Sequence, residues 1–565
     1  MFTKAISMNA ARVLSFWFLI FFSAHAFAVD PSKAITQYAH TAWRTQDGFF
    51  TGTPRAITQT ADGYIWIVTP NDLFQFDGVR FIKWVPPTGI QLPSSRINSL
   101  LGSSDGSLWI GTDSGLAHFS HGQLSITTNS QARVTSIIER ANGEIWFSRI
   151  QHFQQAGPVC RVSDDRAQCF GQPEGIPLSS AAVLAEDRSG NLWFGDQSTA
   201  VRWNGKWARS FAPAALRGNQ SDGLQGVVQT SDGSIWLGFA KPGLGAGLQR
   251  VVNESLRPFV SPDLDSSTLE VTVLLLGKEN SLWIGTISQG IFRIHEGVVD
   301  HFGTADGLSS DFIHGLYEDR EGDLWAATSR GVDCFRDLRV TSYGRREGLP
   351  SEEIDSVLAS RDGTIWAGGP GGLSAIRGRD VTTIKPRNTA GSLITSVLED
   401  HAGRLWVGVE GSLYIYENNV FRPITRRDGR PFGFVVGMAE DREHNIWAET
   451  IGPPRTLIRI SNFVVDREFP EPEMPAARKL AVAPDGSLWL GLITGDLARY
   501  KDKKTDIFRF KNSSTPTLNS MVNEVAIGPA VTGTLGFRDC QLHKLLLGFV
   551  GSSDHAGIIS HRQDC

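Results

Sequence analysis

No string that would seat a metal ion or a nucleotide by itself occurs in the sequence. H-E-x-x-H, C-x-x-C, the EF-hand loop and the Walker motif are all absent, so neither a metal nor a cofactor is expected. After residue 28 no apolar run is long enough to cross a membrane, and Leu545-Leu546-Leu547-Gly548-Phe549-Val550 is far too short. The mature chain is thus expected to have no span. Basic charge is not in excess: the formal net charge is −5, which argues against nucleic acid or an anionic membrane as partner. Cysteine is scarce, at five residues. Cys160 and Cys169 flank Ser163-Asp164-Asp165-Arg166, so a hairpin there pairs 162 with 167 and 160 with 169. Directly opposed cysteines can be bridged, the alternative being two free thiols. Cys334 reads as a small buried hydrophobe, and Cys540 and Cys565 lie in the tail.

Tryptophan, by contrast, is placed with a period. The stretch Asp105-Gly106-Ser107-Leu108-Trp109-Ile110-Gly111-Thr112 recurs with variation around Trp66, Trp109, Trp146, Trp193, Trp236, Trp283, Trp325, Trp366, Trp406, Trp447 and Trp489, at spacings of 37 to 47 residues. Such a period holds four short strands with their turns, the size of one propeller blade. Three residues before each Trp stands Gly in nine of eleven copies, with Asn280 and His444 in the other two. Asp-Gly and Asn-Gly here read as two-residue hairpin turns with both central residues at positive φ. His444 fits that turn less well and suggests a longer one. The repeated Trp reads as a wedge packed between blades, and truncating one to Ala should cost about 3–5 kcal/mol.

Nine residues before each Trp the position is always apolar, from Ile57 and Leu100 to Leu480. Ten before it residues are mostly small, as innermost strands crowding an axis require. Eleven before it they are mostly polar, and this ring reads as the lining or mouth of a central channel. Arg55, Asn98, His314, Asp355 and Arg478 are its candidate ligand-binding residues. No catalytic residue is assigned. Gly102-Ser103-Ser104-Asp105-Gly106 matches the nucleophile-elbow string but sits in a hairpin rather than a strand-to-helix turn. Gly243, Gly245 and Gly247 imitate a phosphate loop without a following helix.

Residues 1–28 read as a secretory signal: Lys4 and Arg12 flank the apolar run Val13 to Phe22, and Ala26-Phe27-Ala28 offers a cleavage site. Eleven blades exceed any single ring, since propellers have four to eight. The expected fold class is therefore all-β: a seven-bladed propeller over 29–340, an incomplete second propeller of about four blades over 341–510, and a divergent tail over 511–565. Exposed strand edges of that open arc invite self-association.

Tyr38–Phe50 is similar to a fourth strand plus inter-blade loop, like His301-Phe302-Gly303 with Asp306-Gly307-Leu308. A spare outer strand arriving first would close the ring by completing its last blade. Together with Gln59-Thr60-Ala61-Asp62-Gly63-Tyr64-Ile65-Trp66, Phe76-Asp77-Gly78-Val79-Arg80-Phe81 and Gly348-Leu349-Pro350-Ser351, it resembles the two-component regulator propeller family over residues 36–510. The resemblance implies the periplasmic sensor region of a histidine kinase, hybrid kinase or diguanylate cyclase. Members with the full pattern usually carry two complete rings, a small β-sandwich, a membrane span and a signalling module. Here a twelfth repeat begins at Leu518 and dissolves after Ile527. An exported sensor propeller truncated before its output module is therefore expected.

Its partner would be a small polar molecule, a saccharide by family analogy. The alternatives are a periplasmic propeller enzyme of lyase or hydrolase type, or a non-signalling interaction remnant. The absence of a His and carboxylate cluster in register favours binding over catalysis. Mature protein recovered from the periplasm should begin near Val29, and intact mass with N-terminal sequencing checks this; a retained Met1 would remove the signal reading.

Overall fold

The computed structural model describes residues 29–509, except 88–89, 151–156, 197, 214–222, 244–245, 338–340, 387–392 and 453, and four further strands between Val525 and Arg562. The expected signal segment, Gly245, Cys540 and Cys565 lie outside the described residues. The chain divides into two compact units, Met1–Thr341 and Ser342–Cys565.

Among the described residues the first unit holds seven four-stranded antiparallel sheets, and a two-stranded hairpin at Val260–Ser261 and Leu264–Asp265. Their first strands are Ala56–Gln59, Ile97–Gly102, Arg133–Glu139, Val183–Glu186, Leu224–Gln229, Val271–Leu276 and Ile313–Glu318. Each lies beside the next, and the seventh lies beside the first, so the sheets form a closed cycle. In the seventh sheet the outermost strand is the N-terminal Ala39–Arg44, paired with Gly331–Arg336. Trp43 stacks on Trp325 at 5.5 Å between centroids, and His40 meets the buried Asp333 at 2.8 Å. The beginning of this unit is therefore fastened to its end.

The second unit holds five four-stranded sheets. Their first strands, Ser356–Ala359, Ile394–Glu399, Phe434–Glu440, Ala477–Val482 and Val525–Ile527, are neighbours in that order. The stretch after Pro529 has no legible repeat, yet it supplies three strands that pair with Val525–Ile527 into the last sheet.

The turn before each Trp differs from the two-residue form expected. Only the Gly has positive φ: Gly63 stands at +90°, while Asp62 does not share that region. Thr60 N–H bonds to Tyr64 O at 3.1 Å, and Gly63 N–H returns to Thr60 O at 2.9 Å. This is the three-residue hairpin loop, a type I turn followed by a left-handed residue. His444, at φ +65°, keeps the same geometry, its N–H reaching Asp441 O at 3.0 Å, so its turn is not lengthened. Two-residue turns with paired positive φ occur instead between third and fourth strands. Asp164 and Asp165 form one of them, setting Cys160 opposite Cys169, where the two are joined by a disulfide of S–S 2.06 Å.

The tryptophans are buried, and most of their indole N–H groups end on the same turn. Thr60, Asp187, Asp319, Asp400 and Asp441, each six residues before its Trp, accept from Trp66, Trp193, Trp325, Trp406 and Trp447 at 2.7–2.9 Å. Asp187 also accepts from Ser189 and Asn191 N–H, both at 2.9 Å. Replacing Asp187 by Ala strands the buried indole donor and two partly buried turn N–H groups, and should lower unfolding free energy by about 1–3 kcal/mol. Asp187→Asn, which keeps an acceptor oxygen, should recover part of it. Urea denaturation checks this, and equal losses in both variants would show that the indole bond contributes nothing.

Candidate functional site

Most of the residues eleven before each Trp share a backbone property. In eight sheets the ladder slips by one residue at this point, leaving Asn98, Thr135, Gln225, Thr272, His314, Thr395, Val436 and Arg478 as the extra residue of a β-bulge. Arg55, Ala182 and Asp355 stand just before their strands, and their N–H groups reach the second strand at 2.8, 2.8 and 2.9 Å. A bulge takes a residue out of the ladder and re-aims its side chain, which is why bulges recur beside binding sites.

Closure of the first unit brings two of the five candidates together. Gly315, next to His314, lies so near the first sheet that an added Cβ would come within 2.7 Å of Arg55 O. His314 is half-buried, its Nε2 is 3.2 Å from Ser329 Oγ, and its ring packs on Phe312 at 4.2 Å. Burial, and then the positive Arg55, hold its pKa down at about 4, so the imidazole is neutral over the physiological range. At the same end of the seventh sheet opens a cavity of about 580 Å³, lined among others by Arg44, Gln46, Thr304, Ser309, Ser329 and Arg330. Ser329 joins the two: it lines the cavity and faces His314.

The other candidates lie elsewhere. Asn98 donates to Asp113 Oδ1 at 3.0 Å, and Asp113 in turn lies 3.5 Å from Arg133. Asp355 and Arg478 are exposed on the first and fourth sheets of the second unit. Beside Arg478, Ala477 N–H donates at 3.2 Å to the buried Glu449, whose carboxyl is pushed up to about 7 by burial. Sequence reading passed over Glu449, although its position, two after the Trp, is Gly in seven of eleven copies. Arg44 and Arg330 were missed because only the N-terminal strand's pairing makes them neighbours.

Neither Ser309 nor Ser104 is placed as an activated nucleophile. Ser309 Oγ donates to Asp333 Oδ1 at 3.1 Å, and His40 Nε2 meets the same oxygen; in a catalytic triad the hydroxyl would face the imidazole. Ser104, centre of the elbow-like string, spends its hydroxyl on Glu139. Sequence reading named no metal ligands, yet the second unit gathers His401, Glu440 and His444.

Comparison with known proteins gives the fold a context. The model of the family described as two component regulator propeller matches residues 91–114 and 307–330. No curated protein matches the chain in sequence. Among solved structures, the extracellular domain of BT3049 from B. thetaiotaomicron, described as a hybrid two component system, aligns with TM-score 0.57 at 16% identity, covering 93% of this chain and 78% of that one. The extracellular domain of BT4673 from the same organism gives 0.44 at 13%, covering 94% and 74%. Virginiamycin B lyase from Staphylococcus aureus gives 0.41 at 16%, covering 54% and 100%. Among the described residues no helix is long and apolar enough to cross a membrane.

The depressed pKa of His314 has a checkable consequence. Below the unfolded-state value near 6.5 the unfolded chain takes up a proton that the folded site refuses. His314 therefore favours folding fully above that pH, and its contribution falls as pH drops from 6.5 toward 4. Imidazole NMR should find His314 titrating near 4, and Arg55→Ala should raise that midpoint by removing the like charge. A midpoint near 6.5 in both proteins would show the pair to be apart.

Proposed function

We propose that this chain, which carries the repeats of the two component regulator propeller family, is an exported input region that binds a polar small molecule in the periplasm. The observation that carries the reading is the junction of seventh and first sheets. There Arg55 lies beside His314, and His314 reaches, through Ser329, a cavity of the seventh sheet lined by Arg44 and Arg330. Two guanidinium groups in the cavity, with a neutral imidazole and a third guanidinium next to it, offer charge-assisted hydrogen bonds, suited to acidic or hydroxyl-rich ligands such as acidic saccharides. Similarity of fold to the extracellular domain of a hybrid two component system supports the compartment and the sensor role. In this reading ligand engagement in the cavity would alter how firmly the N-terminal strand is held, because Arg44 belongs to that strand and Arg330 stands just before the strand it pairs with, its carbonyl accepting the Thr45 N–H.

The test is calorimetric titration of the full chain against a panel of oligosaccharides and organic acids. Arg55→Ala combined with His314→Ala should abolish binding, while the melting temperature stays within a few degrees. Unchanged affinity in the double variant would discard the site, and turnover of any panel member would move the protein to the enzyme class.

A further inference from the structure

We propose that His401, Glu440 and His444 of the second unit bind one divalent transition-metal ion of the zinc, nickel and copper class. The three side chains come from two neighbouring sheets. His401 sits in the turn five residues before Trp406, while Glu440 and His444 stand seven and three residues before Trp447. One donor atom from each lies within 4.8 Å of the others. Both imidazoles present Nδ1 to the same oxygen, Glu440 Oε1, and their rings stack with centroids 3.6 Å apart.

Most of this arrangement elaborates a contact found elsewhere in the chain. The residue five before a Trp donates its backbone N–H to a side chain of the next sheet, as Ser104 does to Glu139 at 2.7 Å, Arg361 to Glu399 at 3.1 Å and His401 to Glu440 at 2.8 Å. That contact needs no histidine at either turn. Among the eleven copies, histidine occupies the position five before Trp only at His401, and the position three before only at His444. The two fall in adjacent sheets, on one carboxylate.

His444 moreover holds the left-handed backbone, φ +65°, that glycine takes in nine copies. An L-residue there costs roughly 1–2 kcal/mol, and an outlier of this kind is a reason to look for function. Glu440 Oε2 is already taken by the His401 N–H, so Oε1 remains for a ligand. His444 Nδ1 lies 3.3 Å from Oε1, longer than a good hydrogen bond. A tetrahedral zinc ion with ligand bonds near 2.0 Å sets its donors about 3.3 Å apart, so this edge already has the required length. The His401 edge is shorter and must open by side-chain rotation, which its exposed ring permits.

Two imidazoles and one carboxylate suit borderline divalent ions, whereas Mg²⁺ and Ca²⁺ prefer all-oxygen sites. Both histidines are about half exposed, so water would complete the coordination. The ion would tie the second and third sheets of this unit together across their turns.

The experiment uses full-length, untagged, chelator-treated protein and Zn²⁺ alone as probe. Thermal melting should shift upward with added Zn²⁺, saturate, and reverse with EDTA, and calorimetry should count one ion per chain. His444→Gly restores the residue common at that turn. It should melt no lower than wild type without metal and should lose at least tenfold in Zn²⁺ affinity. His401→Ser, which keeps the backbone contact with Glu440 as Ser104 does with Glu139, should lose affinity likewise. No saturable Zn²⁺ binding in wild type, or undiminished binding in the two variants combined, would overturn the proposal and leave two histidines sharing a hydrogen-bond acceptor.

Discussion

The bond from a buried indole N–H to a turn residue six positions earlier is the constraint on which this structure depends. A tryptophan fills the gap between sheets with more apolar surface than any other side chain, but its N–H must find an acceptor once water is excluded. Asp187, Asp319, Asp400 and Asp441 provide one, and the same carboxylates hold backbone N–H groups of the tight turn. Turn geometry and inter-sheet packing are therefore coupled in one group. Moving the turn by one residue would unpair the indole, and moving the indole would open the turn. This coupling explains why the repeat is legible through wide variation elsewhere. Trp109 departs from it: its indole N–H has no partner among the described residues, and its ring stacks on His118 at 4.0 Å.

A second constraint is closure. Gln59 of the first sheet accepts the Arg320 N–H of the seventh at 2.9 Å and donates to Glu321 at 3.0 Å, so the seam carries the same lateral contact as the other junctions. What distinguishes the seam is the N-terminal strand, held on one side by main-chain pairing and at its flank by Arg293. That buried guanidinium bonds to Tyr38, the Lys33 carbonyl and Asp300. Because the ends of this unit are far apart in sequence, the junction is also where side chains from remote segments meet. Arg55 meets His314 across the junction, and Arg44 comes beside Arg330 within the seventh sheet, for that reason.

The turns on the other end of the sheets show how a structural motif can acquire chemistry. The lateral contact to Glu440 recurs in other sheets without histidine, so the cluster at His401 and His444 adds imidazoles to a support that exists already. Glu449 is a parallel case: a carboxyl has entered a position usually reserved for glycine, and burial raises its pKa accordingly.

The sequence by itself determined the repeating unit, its all-β character and its register. A Trp wedge, a left-handed turn residue and an apolar first strand are local requirements, and each leaves its mark at fixed spacing. It also placed Cys160 opposite Cys169, since one short turn sets that pairing. The bulge at the polar position was legible only as polarity, because a slipped ladder has no residue code of its own. The turn was read as shorter than it is, since Asp-Gly serves both the two-residue and the three-residue loop. Only the tertiary structure decided which polar positions meet. Arg55 and His314 converge because the seventh sheet abuts the first, whereas Asn98 turns to Asp113. His401, Glu440 and His444 converge because adjacent sheets bring unlike repeat positions side by side. Sequence spacing records what a residue does within its own repeat; contacts between repeats depend on closure and stacking, which no single repeat encodes.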